Sequence, residues 1–205
     1  MDKLILPACY LAPVSWFMTL IQHSDQAVLL ECFEHFPKQT YRNRASIFGA
    51  NGRLDLYLPV QKGKDKHTVM KDVRISYEQD WQRLHWMSIQ TAYRSSAYFE
   101  YYEDDFAPFY EKKDVFLLDY NMRLTALILK LLKLNLTLKP SESYEANYAP
   151  GMDYRSRIHP KKPPVQLVQP YRQVFSDRFG FLPDLSIVDL LFNHGPQSIR
   201  YLQTE

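Results

Sequence analysis

Hydrophobic positions change period along the chain, and the changes outline its elements. Leu4–Pro7 is a short apolar run that reads as a strand. Pro13 suits the first turn of a helix, and Trp16, Phe17, Leu20 and Ile21 then recur at helical spacing. Ala27–Phe33 is apolar enough for a buried strand, and Tyr41–Phe48 reads as the next one after the Pro37 break. Asn51-Gly52 supplies the positive backbone angles of a tight turn. Leu54, Leu56, Leu58 and Val60 then alternate with Asp55, Tyr57 and Pro59, a half-buried strand pairing back on Arg44–Phe48. A charged loop, Gln61–His67, leads to a further strand expected at Val69–Ile75.

Beyond this point the period becomes helical. Asp80 is placed as the N-cap of a helix carrying Trp81, His85, Ile89 and Tyr93. A second helix is expected over Phe99–Tyr110, and a third carries Leu124, Leu127, Leu131 and Leu134. Past Lys139 the prolines at 140, 150, 160, 163, 164 and 170 break every period, so an extended arm is expected. The chain closes on a capped helix beginning at Ser186, with Asp189 positioned to return a hydrogen bond to the Ser186 backbone and a stop near Asn193 and Gly195. Together these segments give one α+β domain over 1–205. Residues 1–77 hold a mainly antiparallel or mixed sheet, 78–138 a layer of about three helices, and 139–205 a long proline-rich arm and a short C-terminal helix.

Composition narrows the function. With 46% hydrophobic and 23% charged residues in 205, the chain is a folded globular protein rather than a disordered one. The greasiest stretch, Val115–Leu134, is interrupted by Asp119, Arg123, Lys130 and Lys133, which excludes a membrane span there. Met1-Asp2-Lys3 runs into the first apolar segment without a basic leader, so a cytoplasmic location is expected. Cys9 and Cys32 lack metal-ligand spacing and read as buried thiols. The six histidines never fall four apart, so no metal site is expected. No Gly-rich phosphate cradle occurs, and the cofactor is left undetermined. The net charge of +2 argues against nucleic acid as a partner, although Asp153–Arg178 carries six basic against two acidic residues. The oligomeric state is not legible.

Three clusters are candidates for chemistry. Lys38-Gln39-Thr40-Tyr41-Arg42-Asn43-Arg44, read as an alternating strand, puts Lys38, Thr40, Arg42 and Arg44 on one face. There Arg42 and Arg44 either clamp a phosphate or carboxylate or form a solvated face paired to Glu31 and Glu34. His85, among Trp81, Trp86 and Tyr93, is either a general base or a satisfied core histidine. Arg157, His159 and Lys161 lie in the arm and either close over an anionic ligand or form a basic surface loop.

These residues carry a resemblance. The chain resembles the WbqC-like family of bacterial proteins in YLAPVSWF (Tyr10–Phe17), KQTYRNR (Lys38–Arg44), Leu58-Pro59-Val60, Trp81 with His85-Trp86, Ala92-Tyr93, FEYY (Phe99–Tyr102), Leu118-Asp119 with Asn121, and GFLPDLSIVDLLFNHGP at the end. The Tyr-Arg-Asn-Arg element and the Trp-x-x-x-His spacing are the most specific, whereas the family's Gln-Pro opening is replaced here by Leu6-Pro7. The family is named after genes found with O-antigen and other surface-polysaccharide clusters. The resemblance therefore implies a role in surface-polysaccharide synthesis, such as sugar modification or small-group transfer on an activated sugar. A non-catalytic binding or assembly protein is the alternative. The expected ligand is an anionic or sugar-containing small molecule. Tyr10, Lys38, Arg42, Asn43, Arg44, Arg157, His159 and Lys161 are the candidate binding residues, with His85 as the proton-exchanging group.

Overall fold

Strand β1 (Lys3–Pro7) and helix α1 (Val14–Gln22) form at the opening of the chain, and β2 (Ala27–Glu31) returns parallel to β1 with Leu4 beside Val28 and Leu6 beside Leu30. The computed structural model describes residues 3–61 and 67–203, so most of the charged loop expected at Gln61–His67 lies outside the described residues. A two-residue strand, β5 (Lys139–Pro140), pairs parallel with the other edge of β2, giving the order β1-β2-β5. The hairpin of β3 (Arg44–Gly49) and β4 (Gly52–Tyr57) is a separate antiparallel sheet.

The mixed α+β class is therefore observed, but the mainly antiparallel or mixed sheet expected in the N-terminal part is corrected to a parallel three-stranded sheet and a separate antiparallel hairpin. The apolar runs of β1 and β2 already carry the reason: both are nearly continuous rather than alternating, as strands covered on both faces are. Two local readings also change. The chain from Lys38 to Asn43 turns rather than extends, and Val69–Ile75 contains a 3₁₀ turn at Met70–Asp72, flanked by isolated bridges from Val69 to His35, Arg74 to Phe116 and Ile75 to Val60. At the hairpin Gly52 alone takes a left-handed φ, at 99°, while Asn51 does not.

Helices α2 (Trp81–Tyr93), α3 (Phe99–Glu111) and α4 (Leu117–Leu131) follow the helical periods in the sequence. Asp80 stands at the start of α2 without a capping hydrogen bond from its side chain. Between β5 and α5 (Ser176–Phe179) the described chain makes turns, bends and one bridge, in which Tyr154 donates to the Ile5 carbonyl and Ile5 donates to that of Met152. Tyr154 and Ile158 are buried, so this stretch is fastened against the outer edge of β1.

Helix α6 (Ile187–His194) and helix α7 (Ser198–Leu202) close the fold. Gly195 between them has φ 53°, and a Cβ there would stand 2.4 Å from the Tyr98 ring, so no side chain fits. The Asp189 capping role is corrected. Its carboxylate is wholly buried and accepts hydrogen bonds from Tyr93 (2.8 Å), Tyr171 (2.8 Å) and Gln173 (2.9 Å), while the Tyr93 hydroxyl also accepts the Phe48 N–H at 3.1 Å. One carboxylate thus ties α6 to α2, to β3 and to the incoming tail, and burial pushes its pKa up to about 6. Asp184 serves the start of α1 instead, accepting from the Ser15 N–H at 2.8 Å and its hydroxyl at 3.0 Å.

Candidate functional site

The sequence candidates separate into two polar clusters. The first is enclosed. Tyr10 follows β1 and is held by its backbone N–H on the Tyr41 carbonyl. Its hydroxyl lies 3.0 Å from Nδ1 of His85 on α2 and 3.1 Å from the hydroxyl of Tyr110 on α3. The rings of Trp81 and Tyr120 pack around them, with Trp81 at 5.2 Å from His85. Burial lowers the His85 pKa to about 4, against a backbone hydrogen bond with Tyr57 that raises it. The ring is therefore neutral at pH 7. With one nitrogen donating to the Tyr57 backbone, Nδ1 accepts from Tyr10, and Tyr10 in turn accepts from Tyr110. Each hydroxyl proton in this chain is then used once. Burial raises the Tyr10 and Tyr110 pKa values as well, so the cluster holds its protons.

The second cluster is open to solvent. It lies where the turns of 34–42 meet the segment 144–159, around a cavity of about 350 Å³. Glu34, Lys38, Arg42, Asp153, Arg155 and His159 all line it. Arg42 has 1% of its surface exposed; its Nε donates to Glu34 at 2.5 Å and its Nη2 to the Arg155 carbonyl at 3.1 Å. The turn that delivers it is set by Thr40 donating to the Pro37 carbonyl. It is also pinned by Asn121 of α4, whose amide donates to the carbonyls of Arg42 (2.7 Å) and Ala8 (3.0 Å).

Arg155 joins the opposite wall to the sheet. Its guanidinium donates to Asp153, to Glu31 of β2 at 3.2 Å and to the Glu145 carbonyl at 2.8 Å, and it stacks on Tyr148 at 4.9 Å. Burial raises the Asp153 pKa, but the hydrogen bonds and charge of Arg155 outweigh it and hold the carboxyl below its usual range. Burial has the upper hand at Glu34, whose pKa is raised although Arg42 pulls it down. Burial and the neighbouring Lys162 and Lys161 lower that of His159. The His159 Nδ1 accepts the Lys161 N–H at 3.1 Å, which leaves Nε2 as the proton-bearing nitrogen of the neutral ring. The Lys38 ammonium is exposed and has no partner among the described residues.

The cavity thus gathers Lys38, Arg42 and His159 from the sequence candidates. Tyr10 and His85 belong to the enclosed cluster. Asn43 donates to the Leu58 carbonyl at 2.9 Å, and Arg44 pairs with Asp55 and covers the Tyr57 ring at 5.1 Å. Arg157 lies over Tyr154 at 4.2 Å, and the Lys161 ammonium donates to Gln39 at 2.9 Å. None of these four lines the cavity. Glu34, Asp153 and Arg155 are not among the candidate binding residues, although Glu34 enters the sequence reading as a partner for Arg42 and Arg44. The run Asp153-x-Arg155-x-Arg157, which puts a carboxylate two residues from a guanidinium, is the sequence signal for Asp153 and Arg155.

Among the described residues no three His, Cys, Asp or Glu side chains come together as a metal site, and no helix is long and apolar enough to cross a membrane. Burial pushes the Cys9 thiol up to about 12 and that of Cys32 up to about 11, so neither is a thiolate at neutral pH.

Residues 9–156 match the model of the WbqC-like protein family. That segment contains Glu34, Arg42, Asp153 and Arg155, while His159 lies just beyond it. The whole chain is similar to the uncharacterized protein Rv1507c of Mycobacterium tuberculosis, at 25% identity over 232 aligned residues covering 99% of this chain and 98% of that protein. No solved structure matches the chain.

Proposed function

The chain belongs to the WbqC-like protein family, and from that premise we propose that it binds an anionic, hydroxyl-rich small molecule, an activated sugar, for surface-polysaccharide synthesis. The observation that carries this reading is the open cavity lined by the Lys38 ammonium, which has no partner among the described residues, and by the Arg42 guanidinium. Both cations suit a phosphate, while Glu34, Asp153 and Thr40 offer acceptors and a hydroxyl to the sugar. His159 adds a neutral N–H donor at neutral pH. The cavity volume, about 350 Å³, falls at the lower end of small-ligand pockets and fits a sugar phosphate.

The second reading, a binding protein without catalysis, is favoured by one specific observation. His85, Asn43 and Arg44 do not converge on the cavity, so the enclosed imidazole has no route to a ligand held by Lys38 and Arg42. Thermal-shift screening of nucleotide sugars and sugar phosphates tests binding, and Lys38→Ala and His159→Ala are the informative variants because neither removes a partner from a buried ion pair. A ligand that stabilises the wild type and loses its effect in both variants is the expected result. No stabilisation across the panel, or stabilisation unchanged by both variants, removes this site from the reading. Mass analysis of the recovered ligand then separates binding from group transfer.

A further inference from the structure

Beyond α4 the chain carries a second feature that the sugar site does not use. Lys133 takes a left-handed backbone, φ 58°, and ends the helix. From there Leu134, Leu136 and Leu138 are half-buried while Asn135 and Thr137 are exposed, the alternation of an extended segment with one apolar face. Such a face ordinarily closes on the neighbouring strand. Here pairing with β2 begins only at Lys139 beside Leu29 and Pro140 beside Leu30, and residues 135–138 make no backbone hydrogen bond to another element among the described residues. The leucine row therefore stands off from α4 and β2. The gap is a cavity of about 540 Å³, walled by the row and by Leu30, Met122, Ala126 and Leu129.

Lys130 and Lys133 line the same cavity, both exposed, and neither ammonium has a partner among the described residues. On α4, Met122, Ala126 and Lys130 follow one another at spacings of four, and Lys133 stands just past the helix end, so the wall runs from apolar to cationic. An open apolar trough of small-ligand size ending in two cations that have no partner among the described residues matches a ligand of the same polarity: a hydrocarbon chain with an anionic end. Leu30 and Glu31 are successive residues of β2 and project to opposite faces, so this cavity and the Arg155 wall of the sugar site lie on opposite sides of that strand.

We propose that the groove between α4 and residues 134–138 binds an anionic amphiphile, with a single alkyl or acyl chain along the leucine row and its anionic head at Lys130 and Lys133. Apolar contact supplies affinity along the chain, and the lysines select the sign of the head. The proposal stands apart from the sugar reading, since either site works without the other.

Isothermal titration with decyl phosphate below its micelle concentration tests it, with decyltrimethylammonium as the probe of equal chain length and opposite charge. Saturable one-to-one binding of decyl phosphate is expected, about tenfold or more tighter than the cationic probe at low salt, with the preference shrinking as salt is raised. Lys130→Glu combined with Lys133→Glu should reverse the preference. Ala126→Trp, at a solvent-facing helix position, should fill the trough and weaken both probes by about tenfold while circular dichroism stays unchanged. Equal affinity for the two heads, or binding indifferent to Ala126→Trp, overturns the proposal. So does a concentration-dependent dimer in sedimentation that Ala126→Trp dissolves, because a second copy would then be the occupant.

Discussion

The Tyr10–His85–Tyr110 cluster and the Arg42–Arg155 cavity are both assembled from segments distant in sequence, and both hold polar groups that the fold has partly dried. They differ in what is left over. In the first, each hydroxyl and imidazole proton has one acceptor, the imidazole is neutral, and the rings of Trp81 and Tyr120 pack around it, although the Trp81 indole N–H is buried without an acceptor among the described residues. In the second, the buried guanidiniums are matched by Glu31, Glu34 and Asp153, but Lys38 at the edge is matched by nothing among the described residues. A dry cluster whose titratable groups are matched to one another stabilises and specifies packing, whereas one with unspent donors facing solvent is equipped to take a ligand. Residue type alone would have ranked them the other way, since a histidine among tryptophans draws more attention than a lone lysine.

The largest expected effect comes from breaking the closed part of the cavity. Arg155→Ala leaves the Glu31 carboxylate, whose side chain is fully buried, without its cation, and should cost about 3–5 kcal/mol in urea unfolding. Arg155→Lys should not restore it, because one ammonium cannot reach Asp153, Glu31 and the Glu145 carbonyl together. A cost near zero for Arg155→Ala would show that the wall does not depend on this ion pair.

The next effect sharpens the enclosed side. A histidine whose folded pKa is lowered to about 4 contributes stability that is present above its unfolded value of 6.5 and is lost as pH falls through 4. From pH 7 to pH 4.5 that loss amounts to about 2–3 kcal/mol. His85→Gln has no such charge to bury, so the wild type should lose this much relative to the variant. Asp189 has the opposite sign. Its folded pKa, raised to about 6, favours the fold at low pH, and that contribution is lost as pH rises from its unfolded value, about 3.9, through 6. Because the two slopes oppose each other, the difference between wild type and variant is the quantity to measure by denaturation at each pH. Parallel curves would place His85 in contact with solvent.

Tyr110→Phe is milder. It removes the donor to Tyr10 but leaves the Tyr10–His85 bond, and should cost about 1 kcal/mol. Smallest is Lys38→Ala, which should change stability by less than about 0.5 kcal/mol while abolishing ligand stabilisation. A large loss of stability there would reveal a structural role and blunt the contrast between the clusters.

Much of the fold was legible because its signal is local. The periods of Trp81–Tyr93 and Leu124–Leu131 are properties of single segments, and helices α2 and α4 form there. The parallel pairing of Leu4 with Val28 and the return of Lys139 to Leu29 depend on partners that no window of sequence contains. The site shows the same division. Lys38, Arg42 and His159 could be marked as candidates by residue type, yet alternation placed Arg42 and Arg44 side by side. The turn at Thr40 instead sends Arg42 inward to Glu34, while Arg44 begins β3 and meets Asp55 across the hairpin. The third wall, Arg155, is fixed by Glu31 in β2 from 124 positions away, and only the folded chain brings them together.

The imidazole resonances of His85 and His159 report on the two clusters separately, so the central claim can be tested in one titration. Glucose 1-phosphate, or whichever activated sugar stabilises the protein, is added while the histidine ring signals are followed by NMR at pH 7. The account expects the His159 ring to shift in a saturable manner and the His85 ring to stay where it is, with the His159 shift lost in Lys38→Ala. A saturable shift at His85 with His159 unmoved would put the ligand in the enclosed cluster and contradict the account.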